Sequence, residues 1–233
     1  MTDELKPDPD RFHRFTSTTV HHLREPVRMF SVYTEMLRQA ETELSAEAVR
    51  SIEFLRKAAV QMQKLLDGMA EFALATDRTA RTYRKVQLDL PLRQALLGLN
   101  AEIKADGAKV SYAGLPEVWG DMDRLALVFQ HLIRNALRYR RDGTPEVEIS
   151  AKSDGANWLI QVSDNGPGVA TEFREKIFEP YRRLHGRELP GNGLGLAVCR
   201  EILEGLGGKI WVDSGPAGGA VFCFTLPRLP DSV

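Results

Sequence analysis

The sequence predicts a two-domain chain: an all-α antiparallel helical hairpin that pairs into a four-helix bundle as a dimer, followed by an α+β sandwich. Three observations carry this reading. Apolar residues recur at spacings of mostly three and four through the first third of the chain, the period of a helix face. The remainder changes to short alternating runs bounded by Gly, Pro and Asn, with a few helical stretches between them. Few of those stretches make βαβ units, so the helices should lie on one face of a sheet. The expected boundaries are 10–78 for the hairpin and 83–228 for the sandwich.

Residues 1 to 10, with Pro7 and Pro9, read as a loose lead-in. Phe12, Phe15, Val20, Leu23, Val27, Phe30, Tyr33 and Leu37 then mark one amphipathic helix. Pro26 lacks an amide hydrogen and should bend it. The polar run from Gln39 to Glu43 ends it. Ser45 is placed to cap a second helix, with Glu47 in its first turn. The second stripe is Val49, Ile52, Leu55, Ala59, Met62, Leu66, Met69 and Phe72 or Ala73. One hairpin cannot cover both stripes, so a homodimer is expected.

Thr76 to Thr82 reads as a linker. Lys85 to Leu88, Lys109 to Tyr112 and Glu117 to Trp119 suggest short strands, and Pro91 to Ala105 a helix. Asp121 can cap the next helix, whose apolar side is Leu125, Val128, Leu132, Ile133 and Ala136. Its other side carries His131, Asn135, Arg138 and Tyr139. Glu146 to Ser150 should pair with Trp158 to Ser163 through a turn at Asp154-Gly155. A short helix is expected near Thr171 to Ile177. The polar stretch from Phe178 to Pro190 reads as a lid. A helix from Leu196 to Leu206 and a last hairpin, Lys209 to Val212 with Ala220 to Thr225, complete the domain.

The chain has 233 residues, 43% of them apolar, enough to bury a core in each domain. Lys plus Arg is 31 against 32 Asp plus Glu, so no basic excess points to nucleic acid. No apolar run approaches the roughly 20 residues of a membrane-spanning helix, and the N-terminus has no signal-peptide pattern. Cys199 and Cys223 stand in apolar surroundings without metal spacing, as buried free thiols of a reducing cytoplasm would.

Three stretches carry chemistry. In Asp164-Asn165-Gly166-Pro167-Gly168 a carboxylate sits at a strand end before two glycines, placed to accept from an exocyclic amine such as adenine's. Gly191-Asn192-Gly193-Leu194-Gly195 opens a helix, and amides at a helix N-terminus attract phosphate. Asn135, Arg138 and Tyr139 offer an amide oxygen for a cation and donors for phosphate. Taken singly, the first is equally a Gly-Pro turn, and the last is more simply a solvated face. The fourth feature is His21-His22-Leu23-Arg24-Glu25-Pro26, in which His21 and Glu25, four apart, share a helix face.

In this order and spacing the motifs resemble those of a sensor histidine kinase, closest to the phytochrome-like branch, over nearly the whole chain. The phosphoacceptor box reads similarly to His21-x-Leu23-Arg24-Glu25-Pro26, and the second domain looks like a Bergerat-type ATP-binding domain. The resemblance implies autophosphorylation on His21 from Mg²⁺·ATP and transfer of the phosphoryl group to an aspartate of a response-regulator partner. It implies Asn135 as the Mg²⁺-holding residue of the N box, Asp164 as the adenine reader, and Gly166 and Gly168 as the first glycine box. By the same likeness Phe178 marks the F box, Arg183 lies on its lid side, and Gly193, Leu194 and Gly195 belong to the second glycine box. Glu25 is the candidate to orient or deprotonate His21. Two positions depart from the pattern: His22 stands where relatives carry Asp or Glu, and His131 where the N box commonly has its first Asn. No sensor domain is in the sequence, so a complete chain of this kind would take its input from another protein. The competing readings are a nucleotide-binding or phosphotransfer scaffold that no longer autophosphorylates, and an ATPase of the mismatch-repair or chaperone type, which the histidine-bearing hairpin disfavours.

Overall fold

The computed structural model describes residues 9–39, 44–77, 83–141, 143–182, 192–215 and 218–228; in the first helix it describes the side chains of Val20 and of Leu23 onward. The lead-in 1–8, the break 40–43, the linker 78–82 and most of the expected lid, with Arg183, lie outside them. The chain divides into two compact units, Met1–Asp77 and Arg78–Val233.

The first unit is a helical hairpin of α1 (Pro9–Gln39) and α2 (Ala46–Thr76). Helix α1 begins inside the expected lead-in, because proline in a first turn loses no hydrogen bond. Pro26 lies within the helix and does not end it. Ser45 caps α2 as expected, its hydroxyl accepting from the Ala48 amide at 3.2 Å. The apolar stripes divide in two. Val20, Val27 and Thr34 of α1 and Ile52, Ala59, Leu66 and Ala73 of α2 are buried. Leu23, Phe30 and Leu37, and Leu55 and Met62, follow the same seven-residue period one notch on and are exposed, Phe30 at 54%. Each helix thus carries a covered seam and an uncovered one. Across the hairpin, Arg24 pairs with Asp67 at 2.9 Å, an exposed bridge that adds little stability.

The second unit begins with β1 (Arg84–Gln87), α3 (Asp89–Gly98) and α4 (Asn100–Asp106). One helix was expected over this stretch; the chain breaks it at Gly98-Leu99, where glycine weakens the helix and Leu99 remains fully buried. Then follow β2 (Lys109–Tyr112), β3 (Glu117–Gly120), α5 (Met122–Arg138), β4 (Glu146–Asp154), β5 (Asn157–Asp164), α6 (Gly195–Gly205), β6 (Ile210–Ser214) and β7 (Ala220–Pro227). The expected helix near Thr171 is instead two short 3₁₀ turns, Thr171–Phe173 and Lys176–Phe178.

Strands β1 and β3 pair antiparallel in a small sheet of their own. The main sheet has the order β2-β4-β5-β7-β6, with only β2 and β4 parallel. Its strands alternate, so Ile149, Ile160, Val162, Phe222 and Phe224 form one buried face. Helices α5 and α6 pack on it. Phe129 of α5 meets Phe224 of β7 edge-on, with ring centroids 6.0 Å apart. Cys199 and Cys223 are both buried free thiols. Among the described residues no helix is long and apolar enough to cross a membrane.

Helix α5 starts as the sequence indicates. The Asp121 carboxylate accepts from the amides of Asp123 and Arg124, both at 3.1 Å. Replacing it with Ala strips two first-turn donors of their partner. Asp121→Ala is expected to lower stability by about 0.5–2 kcal/mol, read as a lower denaturant midpoint with an unchanged slope.

Candidate functional site

Strand β5, the central strand, ends at Asp164, which lies on the same side of the main sheet as Ile160 and Val162. Its Oδ1 accepts two backbone hydrogen bonds, from Gly166 at 2.9 Å and from Ala220, the first residue of β7, at 3.0 Å. These fix the carboxylate. Among the described residues Oδ2 takes no hydrogen bond, so one oxygen is left to accept from a ligand. Burial raises the Asp164 pKa, and the two amides oppose that shift.

The turn after Asp164 is built for close approach. A side chain at Gly166 would run into the Tyr139 carbonyl oxygen. Gly168 has φ +77°, and a methyl group there would lie 2.9 Å from the Gly218 carbonyl oxygen. Tyr139 caps the end of α5. The first glycine turn therefore rests against the end of the helix that carries Asn135 and Arg138, both half-buried. Asn165 braces the turn from outside: it donates to the Thr144 carbonyl at 2.9 Å and accepts from the Glu146 amide at 3.0 Å.

The second glycine turn leads into α6. The Leu194 amide donates to the Asn192 side chain at 3.1 Å. The Tyr181 amide donates to the Gly193 carbonyl at 2.8 Å. Val198 makes the first intrahelical bond, to the Leu194 carbonyl, so the amides of Gly195, Leu196 and Ala197 have no intrahelical acceptor. Such a helix start suits an anion. Leu194 itself is buried and acts as an anchor.

Phe178, expected at the site, is instead buried at 2% exposure beneath Arg200 of α6, whose guanidinium carbon lies 4.9 Å from the ring centroid. Its part is to anchor the segment between the two glycine turns. Nearby, Arg174 donates to the Ser214 hydroxyl at 2.7 Å and ties the same segment to β6. Arg183 lies outside the described residues.

On α1, His21 stands five residues before Pro26. Glu25 is exposed and held by Arg28, with contacts of 3.1 Å from Nε and 2.7 Å from a terminal nitrogen. The hydrogen bond from Arg28 lowers the Glu25 pKa. The expectation that Glu25 faces His21 thus meets a competitor one turn further along the helix.

The structure brings Tyr139, at the end of the helix that carries Asn135 and Arg138, against Gly166 beside Asp164. Sequence reasoning missed the Ala220 amide and the bracing of Asn165. Ala220 lies 56 residues from Asp164 in the chain, and an amide leaves no mark on the sequence.

Residues 120–230 match the family described as histidine kinase-, DNA gyrase B-, and HSP90-like ATPase. Over 229 residues the chain is 32% identical to cyanobacterial phytochrome A of Nostoc sp., covering 97% of this chain and 30% of that protein. It is 32% identical over 235 residues to the signal transduction histidine-protein kinase BaeS of Escherichia coli, covering 97% of this chain and 49% of that one. Among solved structures it is similar to full-length ShkA in complex with AMPPNP, with 25% identity and a TM-score of 0.72 over 94% of this chain and 47% of that one. The chain thus spans 30% to 49% of the length of these relatives.

Proposed function

The chain belongs to the sensor histidine kinases, and from that premise we propose that it is an ATP-dependent protein histidine kinase that phosphorylates itself on His21. The observation that most supports this reading is the Asp164 carboxylate, fixed by two backbone amides beside a turn that has no room for side chains. That arrangement suits a flat, amine-bearing base. Asp164 accepts from the adenine amine through Oδ2. The open amides of Gly195 to Ala197, with Arg138 and Tyr139, face the phosphates. An amide oxygen is a suitable hard ligand for Mg²⁺, and Asn135 would hold the ion. When bound, the ion would neutralise phosphate charge.

In the proposed step an imidazole nitrogen of His21 attacks the γ-phosphorus, the bond to the bridging oxygen breaks, and ADP leaves. Such a transfer is mainly positioning and charge neutralisation. The phosphoryl group then passes to a response-regulator aspartate. Incubation with γ-labelled ATP tests the reading. Acid-labile, alkali-stable label is the expected result. A chain that binds ATP but takes no label is a scaffold, a reading favoured by His22 in the place of an acid and by Glu25 tied to Arg28.

The uncovered seams of α1 and α2 support a further part of the proposal, in which a second copy of the hairpin packs against the first in a homodimeric four-helix bundle. Light scattering at micromolar concentration is expected to give twice the chain mass. Phe30→Glu places a charge in the uncovered seam and is expected to shift the mass toward the monomer. A wild-type chain that is monomeric throughout removes the bundle.

A further inference from the structure

Helices α5 and α6 meet along a seam. At its deep end the Cys199 thiol lies 3.8 Å from the Val128 carbonyl oxygen. One turn nearer the start of α6, Gly195 faces His131. A methyl group built on Gly195 would lie 2.8 Å from His131 Nδ1, 3.3 Å from Cγ and 3.4 Å from Cε1. The ring therefore meets the backbone of α6 with its Nδ1 edge, at the first residue of the helix. Gly195 leaves the notch that it occupies.

His131 lies one helical turn before Asn135 on the same face of α5. The same face thus carries the proposed cation ligand and touches the start of the helix whose amides face the phosphates. We infer that His131 is a positioning residue: its Nδ1 edge, set against Gly195, fixes the height of the phosphate-facing turn relative to Asn135. The inference rests on the nucleotide site proposed above. The ring touches α6 and is not required to touch the nucleotide.

A shape argument follows from which atom makes the contact. An Asn side chain carries an amide heteroatom where His carries Nδ1, so His131→Asn keeps the wedge. His131→Ala removes it. Gly195→Ala adds a methyl group that the ring must yield to, and in the absence of the ring that methyl group has room. Residues in contact couple in this way, so the two losses should not add.

The test is calorimetric binding of Mg²⁺·ATP and of adenosine to the full chain, with thermal melting as a check on folding. Adenosine reports the Asp164 end of the site alone. His131→Ala is expected to weaken ATP binding about tenfold and adenosine binding less than about twofold, while His131→Asn retains ATP affinity within about threefold. Gly195→Ala is expected to weaken ATP about tenfold in the wild-type background and less than about threefold in the His131→Ala background. Additive losses in the double variant, equal losses with Ala and Asn, or equal losses of ATP and adenosine each overturn the inference. Should Gly195→Ala fail to fold, the comparison of Ala with Asn at position 131 decides alone. A wild-type chain that binds neither ligand overturns the nucleotide site itself, a separate outcome.

Discussion

His21→Ala is expected to abolish labelling by γ-labelled ATP altogether, while ATP binding persists. The phosphoacceptor has no substitute in this reading, because the next position, His22, lies about 100° around a helix of about 3.6 residues per turn. Glu25→Gln tests whether the carboxylate one turn on assists His21. General-base loss spans about 10- to 10⁴-fold. Here the lower end is expected, for Arg28 holds both carboxylate oxygens and lowers the Glu25 pKa, which makes it a poorer base. Its remaining use is to accept a hydrogen bond and hold one tautomer of His21. His22→Ala is expected to cost less than Glu25→Gln. If His22→Ala abolishes labelling and His21→Ala does not, the phosphoacceptor is His22.

Asp164→Asn is expected to lower ATP affinity by about 10- to 150-fold, the range that follows from losing a charged hydrogen bond of about 1.5–3 kcal/mol. The geometry dictates how. Oδ1 is committed to the Gly166 and Ala220 amides, so an Asn keeps its oxygen there and turns its amino group toward the ligand. A donor then meets the adenine amine. Guanine carries a carbonyl oxygen at the equivalent position, so the variant should lose discrimination against GTP. The fold should survive, since both backbone hydrogen bonds are retained. Unchanged ATP affinity in calorimetry removes Asp164 from the site.

The wild-type residue also sets a pH dependence. Burial raises the Asp164 pKa above its ordinary value of 3.8. The folded state then binds this proton more tightly than the unfolded one, so the group's contribution to stability falls as pH rises from 3.8 through the folded value. Adenosine affinity runs the other way, because the ionised form is the better acceptor. It should decline in acid at a pH above 3.8, and the decline should be absent in Asp164→Asn.

Much of this is legible in the sequence. The helix caps at Ser45 and Asp121, the β4–β5 hairpin and the glycine turns depend on residues within a few positions of one another. Local rules of periodicity and capping reach that far. The same rules overran Gly98, where burial of Leu99 decided the break, and made one helix of the two 3₁₀ turns after Thr171. They gave the hairpin a single apolar stripe per helix, where packing divides each stripe into a covered and an uncovered seam.

The sequence by itself determined the two-part architecture, the alternating faces of the sheet strands and the identity of the groups that carry charge at the site. Only the tertiary structure decided which of them meet. Strand β7 enters between β5 and β6, and this brings the Ala220 amide to Asp164 and frees one carboxylate oxygen. The end of α5 comes to rest on Gly166, and His131 on Gly195. These contacts join residues dozens of positions apart through backbone atoms and empty volume. Neither has a sequence period, so both appear only once the chain has closed on itself.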